Sequence, residues 1–173
     1  LVWLIIVIVL PFLLQVLAGT IDELTGGIGL RWGDSAADFI SNPATQLLTL
    51  FIVSLVPFIE ELGWRGYAQD VLQKNHSAIM ASLIVGGMWS LWHLPASFIP
   101  NTYQASLGIG TLEFWLHFIG IVFLSITISW IYINTNRSIL VMVIFHAALN
   151  FAGEIVKLSE VGETIYTFCW FSA

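Results

Sequence analysis

The sequence predicts an all-α, polytopic membrane helix bundle with about five complete transmembrane helices and a truncated C-terminal segment. Of the 173 residues, 58% are hydrophobic and only 9% are charged, whereas soluble domains carry roughly 25% charged side chains. The mean hydropathy is +0.90. Apolar runs of about 20 residues recur along the chain. As helices rising about 1.5 Å per residue, they are long enough to cross a hydrocarbon layer about 30 Å thick.

Residues 1–18 form the first of these runs. They lack a basic leading region and are long for a signal-peptide core, so they read as a membrane helix. The polar stretch 19–43, with Asp22, Glu23, Gly26, Gly27, Arg31, Asp34 and Asp38, reads as an extramembrane loop. Pro43 is a favourable first-turn residue and opens the second helix. The charge-free part of that helix, 44–59, runs straight into Glu60, Glu61 and Arg65.

The third helix spans about 77–98, has His93 as its only ionisable group and is closed by Pro95 and Pro100. The fourth covers about 112–133. The fifth follows Arg137 and runs to about residue 155, with His146 and Asn150 inside its apolar body. Residues 164–173 begin another apolar stretch, and the chain starts at Leu1, so both ends read as fragment boundaries. The organisation expected is an N-terminal helix with its acidic loop (1–43), a core (44–158) and the start of a further membrane segment (159–173).

Charge narrows the function. Five Lys and Arg against eleven Asp and Glu, net −6, leave no basic field for a polyphosphate chain, which argues against nucleic acid as a partner. The one cysteine, Cys169, makes neither an internal disulfide nor a thiolate cage, so any metal must be held by imidazole and carboxylate. Arg65, Lys74 and Arg137 on one side outnumber Arg31 and Lys157 on the other. The positive-inside rule then places the 65–76 and 134–137 turns in the cytoplasm. An integral protein of a prokaryotic cell membrane is the expected location.

An ionisable group in the middle of a membrane helix costs about 2.5–3.5 kcal/mol on insertion scales, so such groups pair off or serve a function. Glu61 and Arg65 stand four apart with the acid on the favoured N-terminal side, the spacing of a helix-orienting ion pair. Glu60 is turned about 100° from Glu61 and needs another partner. His146 and Asn150 share one helical face. With the turn near Asn75 taken as a hairpin tip, Glu60 and His93 lie at similar depths, roughly 22 and 26 Å down its two legs.

A carboxylate and two imidazoles meeting in a bundle suit water activation, by Glu60 as general base or through a bound divalent ion, with Asn150 on the oxyanion. Neither His-Glu-x-x-His nor Gly-x-Ser-x-Gly occurs in the chain. Glu113 and His117, four apart at the start of the fourth helix beside Trp115, read as interfacial, and His76 reads as solvated surface.

Three segments together are more specific: Glu60-Glu61-Leu62-Gly63-Trp64-Arg65, Trp89-Ser90-Leu91-Trp92-His93 and His146-Ala147-Ala148-Leu149-Asn150. In order, they resemble the Glu-Glu-x-x-x-Arg, Phe-x-x-x-His and His-x-x-x-Asn/Asp motifs of the CPBP family of CAAX prenyl proteases and bacteriocin-processing enzymes. Trp89 stands where the family usually has Phe.

The resemblance implies an intramembrane endopeptidase. Glu60 is then the catalytic base, and His93 and His146 are water-orienting or metal-binding groups. Asn150 becomes the oxyanion partner, and Glu61 and Arg65 the supporting pair. If a metal is bound, Glu60, His93 and His146 are its minimal ligand set, with zinc as the candidate ion and water completing it. The implied substrate is a membrane-associated or hydrophobic peptide or protein, lipidated or not. The family name adds bacteriocin maturation and self-immunity. Two other classes of function use the same residues: a proton-coupled transporter, whose buried acids and imidazoles relay protons, and a non-catalytic immunity or scaffold protein of the same fold.

Overall fold

The structure is a computed structural model and describes residues 1–172. Among the described residues, four helical stretches are long and apolar enough to cross a membrane: Val2–Leu24, Pro43–Leu72, Ala78–Phe98 and Leu112–Asn134. A fifth apolar helix, Ile139–Ile155, is shorter, 17 residues or about 25 Å long. The molecule is an all-α bundle embedded in the membrane.

The first span is α1 (Val2–Leu24). It ends six residues beyond the predicted boundary, because the polar residues there are satisfied without leaving the helix. Thr20 donates to the Val16 carbonyl at 2.7 Å, and the fully buried Asp22 accepts the Gly29 backbone N–H at 3.0 Å. The expected loop 19–43 is therefore structured. After α1 come β1 (Arg31–Trp32) and α2 (Asp34–Ser41), and β1 pairs antiparallel with β2 (Val156–Lys157) near the far end of the chain.

The second span is built from α3 (Pro43–Val53), α4 (Leu55–Gly63), a π-helical turn over Trp64–Gln69 and α5 (Asp70–Leu72). No side chain of α3 is buried, and Leu47, Leu48, Phe51 and Ile52 are exposed, as a lipid-facing surface requires. The third span is α6 (Ala78–His93), extended by a 3₁₀ turn over Leu94–Phe98. The short α7 (Tyr103–Ser106) leads to α8 (Leu112–Asn134), and α9 (Ile139–Ile155) precedes α10 (Glu160–Ser172).

Hydroxyl caps fix three of the starts. Ser77, Thr111 and Ser138 accept the backbone N–H of Met80, Phe114 and Val141 at 3.3, 3.2 and 3.4 Å, respectively.

The apolar centre comprises Val7 of α1, Trp89 of α6, Ile121, Ile128, Ile131 and Tyr132 of α8, Met142 and Phe145 of α9 and Trp170 of α10. Lipid is as apolar as these side chains, so close packing and internal hydrogen bonds must hold the helices together. A polar seam between the second span and α8 supplies those bonds. Arg65 donates to Ser125 Oγ at 3.4 Å, Ser129 Oγ donates to Gln69 Oε1 at 3.2 Å, and Tyr132 Oη donates to Asp70 at 3.4 Å. Asp70 also pairs with Arg137 at the surface.

Between α6 and α8, Gly86 gives the close approach. A Cβ there would meet Ser125 Cβ and Val122 Cα at 2.9 Å, whereas one at Gly87 meets nothing within 4 Å. Gly86→Val is expected to destabilise the protein by about 1–3 kcal/mol and to lower its thermal unfolding midpoint in detergent, while Gly87→Val leaves the midpoint nearly unchanged.

Candidate active site

The site grows from one buried carboxylate. Glu61 Oε1 accepts from Arg65 Nη1 at 3.0 Å and from His146 Nδ1 at 2.9 Å, and both Glu61 and Arg65 are fully buried. The predicted ion pair therefore has a third member, which ties α4 to α9. Only one oxygen carries both bonds; Oε2 of Glu61 is buried without a partner. The π-helical turn that begins at Trp64 keeps Arg65 and Gln69 on the buried face below Glu61.

Trp89 lies over this pair. The Arg65 guanidinium carbon is 4.8 Å from the centroid of its indole ring, a cation–π contact out of water. The indole Nε1–H donates to Glu60 Oε2 at 2.9 Å, which supplies the partner that Glu60 lacked in the sequence. The rings of His93 and His146 stand edge-on to the same indole, at centroid distances of 5.9 and 5.3 Å. Glu60, Arg65, His93 and His146 thus come from three spans and meet around one side chain. The indole also supplies a hydrogen-bond donor aimed at the acid, which a phenylalanine would lack.

The hydrogen bonds also assign the imidazole protons. His93 Nδ1 lies 2.8 Å from the Trp89 carbonyl, which only accepts, so Nδ1 carries a proton, and in the neutral ring Nε2 is the acceptor. His146 Nδ1 donates to the Glu61 carboxylate in the same way, which makes Nε2 the acceptor of its neutral ring.

Asn150 is one helical turn beyond His146 on α9 and is exposed. It lines a cavity of about 170 Å³ together with His117, Leu124 and Tyr166. His117, read from the sequence as interfacial, belongs instead beside the site. Its ring is 6.4 Å from that of His93 and 5.3 Å from that of Tyr103, and its Nε2 is buried without a hydrogen-bond partner. The reason is the register of α6 against α8, fixed where Ser90 Oγ donates to the Phe118 carbonyl at 2.9 Å. This brings the first turns of α8 level with the last turn of α6. Glu113 is half-buried on the rim of a larger cavity, and His76 is exposed.

The minimal metal set Glu60, His93 and His146 is not assembled as ligands. Glu60 is bonded to the indole, and among the described residues no three His, Cys, Asp or Glu side chains are grouped to hold an ion. The donors present do not fit a metal in this arrangement.

The membrane helix bundle thus gathers an acid, two imidazoles and a buried Glu-Arg pair around one indole. The model of the family described as type II CAAX prenyl endopeptidase, Rce1-like, matches residues 42–152, and the chain belongs to that family. It is 33% identical over 163 residues to CAAX prenyl protease 2 of Methanococcus maripaludis, covering 93% of this chain and 56% of that protein. It is 28% identical over 110 residues to lysostaphin resistance protein A of Staphylococcus haemolyticus, covering 63% of this chain and 27% of that protein. The Staphylococcus epidermidis protein of the same name is also 28% identical, over 125 residues, covering 71% of this chain and 30% of its own length. The chain thus spans about half the length of the methanogen protein and less than a third of the staphylococcal ones.

Glu61→Leu would leave the Arg65 guanidinium and His146 Nδ1 buried without their acceptor. It is expected to cost about 3–5 kcal/mol in unfolding experiments in detergent, and Glu61→Leu/Arg65→Leu should recover much of that loss. Equal losses in the single and double variants would refute the pairing.

Proposed function

We propose that this protein hydrolyses a peptide bond within the membrane, with Glu60 as the general base that activates water. The observation that carries this reading is the hydrogen bond from Trp89 Nε1 to Glu60 Oε2 at 2.9 Å, made by the same indole that both imidazoles flank. The bond orients the carboxylate and leaves Oε1 to take a proton from a water. The water's second hydrogen can be accepted by Nε2 of one of the two imidazoles, His93 or His146, in its neutral form, which orients the water for attack.

The water oxygen adds to the peptide carbonyl carbon as its proton moves to Glu60. The amide of Asn150 donates to the oxyanion of the tetrahedral intermediate. Glu60 then returns the proton to the departing nitrogen as the C–N bond breaks, giving a carboxylic acid and an amine. Glu61 and Arg65 act through others, Glu61 by holding the His146 ring and Arg65 by supporting the indole from below.

The substrate class is a hydrophobic or membrane-associated peptide. The name of the methanogen relative extends it to prenylated chain ends, and the names of the staphylococcal relatives extend the biology to resistance against a peptidoglycan-cutting bacteriocin. The peptidase reading is favoured over proton transport because the acid and both imidazoles gather around one indole and do not form a file across the bundle.

Purified Glu60→Gln protein is expected to fold as the wild type does and to lose cleavage of a hydrophobic peptide panel by at least about a hundredfold. Because the base acts directly on water in this reading, wild-type cleavage should persist after a chelator has stripped divalent ions. Cleavage at the normal rate by Glu60→Gln would refute the assignment of the base, and loss of activity on chelation with recovery on adding zinc would replace the direct mechanism with a metal-assisted one.

A further inference from the structure

Between the N-terminal ends of α8 and α10, with α7 across the top, lies a cavity of about 470 Å³, within the usual size range of ligand sites. Tyr103, His117, Glu163 and Thr167 line both it and an adjoining 170 Å³ cavity that reaches Asn150, so the two form one hollow. It extends to the proposed oxyanion donor, and His117, which lines both parts, stands against His93 with a buried Nε2 that has no partner. A buried imidazole nitrogen without a partner needs one, and a chain lying in the hollow would offer a backbone group.

The lining also has a sign. Glu113, Glu160 and Glu163 line the hollow, and among the described residues no Lys or Arg lines either cavity. The nearby cation, Lys157, pairs with Glu154 at 3.1 Å and also acts on Glu163, so one cation faces the three acids. The helix N-termini there tolerate carboxylates, which accounts for acids in those first turns but not for the convergence of three of them on one hollow.

We propose that this hollow binds the substrate peptide on one side of the cleaved bond, and that Glu113, Glu160 and Glu163 select a chain carrying a lysine or arginine there. The inference rests on the peptidase reading for its purpose, but its binding claim is tested without turnover.

The probe is a short, fluorescently labelled alanine–leucine peptide with one lysine, compared with versions carrying norleucine or glutamate at that position. Anisotropy titrations use the full Glu60→Gln chain in detergent. The lysine peptide is expected to bind about fivefold more tightly than the norleucine peptide at low salt, as an accessible ion pair allows, and the glutamate peptide should bind more weakly than either. The preference should vanish in Glu60→Gln/Glu113→Gln/Glu160→Gln/Glu163→Gln and should shrink at high salt in the Glu60→Gln parent, which does not depend on how the added substitutions fold. Equal affinities for the lysine and norleucine peptides, or a preference that neither salt nor the added substitutions change, would overturn the proposal. Failure of wild-type protein to cut any of these peptides would count against the peptidase reading and leave a measured lysine preference standing.

Discussion

A charge buried in a protein that is itself surrounded by lipid has no water to fall back on, and in this bundle that constraint concentrates on Glu61. Its Oε1 receives both the Arg65 guanidinium and the His146 imidazole, with all three side chains buried. Each member would be costly without the others, so the second span and α9 are bound to one relative position. Arg65 then presents a flat cation to the face of Trp89, which draws α6 into the same arrangement. Packing of apolar side chains alone would leave these helices free to slide, because lipid competes equally well for apolar surface.

From that frame the reactive groups take their places. Glu60 is only half-buried and is held by one directional bond from the indole, whereas Glu61 one residue later is fully buried and held by two. Two adjacent glutamates thus have different work. The helix pitch separates them by about 100°, and the partner on each side decides which is structural and which is available to a water. Both imidazoles donate through Nδ1, so in its neutral form each has Nε2 as an acceptor.

Much of this was legible in the sequence. The membrane spans follow from apolar length, and the positions of Glu60, Glu61, Arg65, His93 and His146 stand out because ionisable groups in such spans are expensive. The bond between His146 and Glu61 was not legible, since spacing along one helix says nothing about the register between two. The same limit hid His117, which is unremarkable in a helix's opening turns until Ser90 pins α6 to Phe118. Ser125, Ser129 and Gln69, which stitch α8 to the second span, carry no charge to mark them. Trp89 was legible only as an aromatic wall, because its use as a donor depends on Glu60 lying opposite its Nε1. In the first loop, Asp22 marked polarity but not the folded turn in which its carboxylate accepts the Gly29 backbone.

The account turns on the indole of Trp89 holding the acid and the two imidazoles in one register. Trp89→Phe keeps an aromatic ring but removes the N–H donor together with the second ring of a buried core residue, so the peptide-cleavage rate of purified Trp89→Phe protein, measured at a temperature where its thermal unfolding curve shows it folded, is the most direct test. Losing one preorganising hydrogen bond to the base is expected to lower the rate by at least about tenfold, beside a lowered unfolding midpoint from the smaller ring. A folded Trp89→Phe protein that cleaves at the wild-type rate would contradict the account.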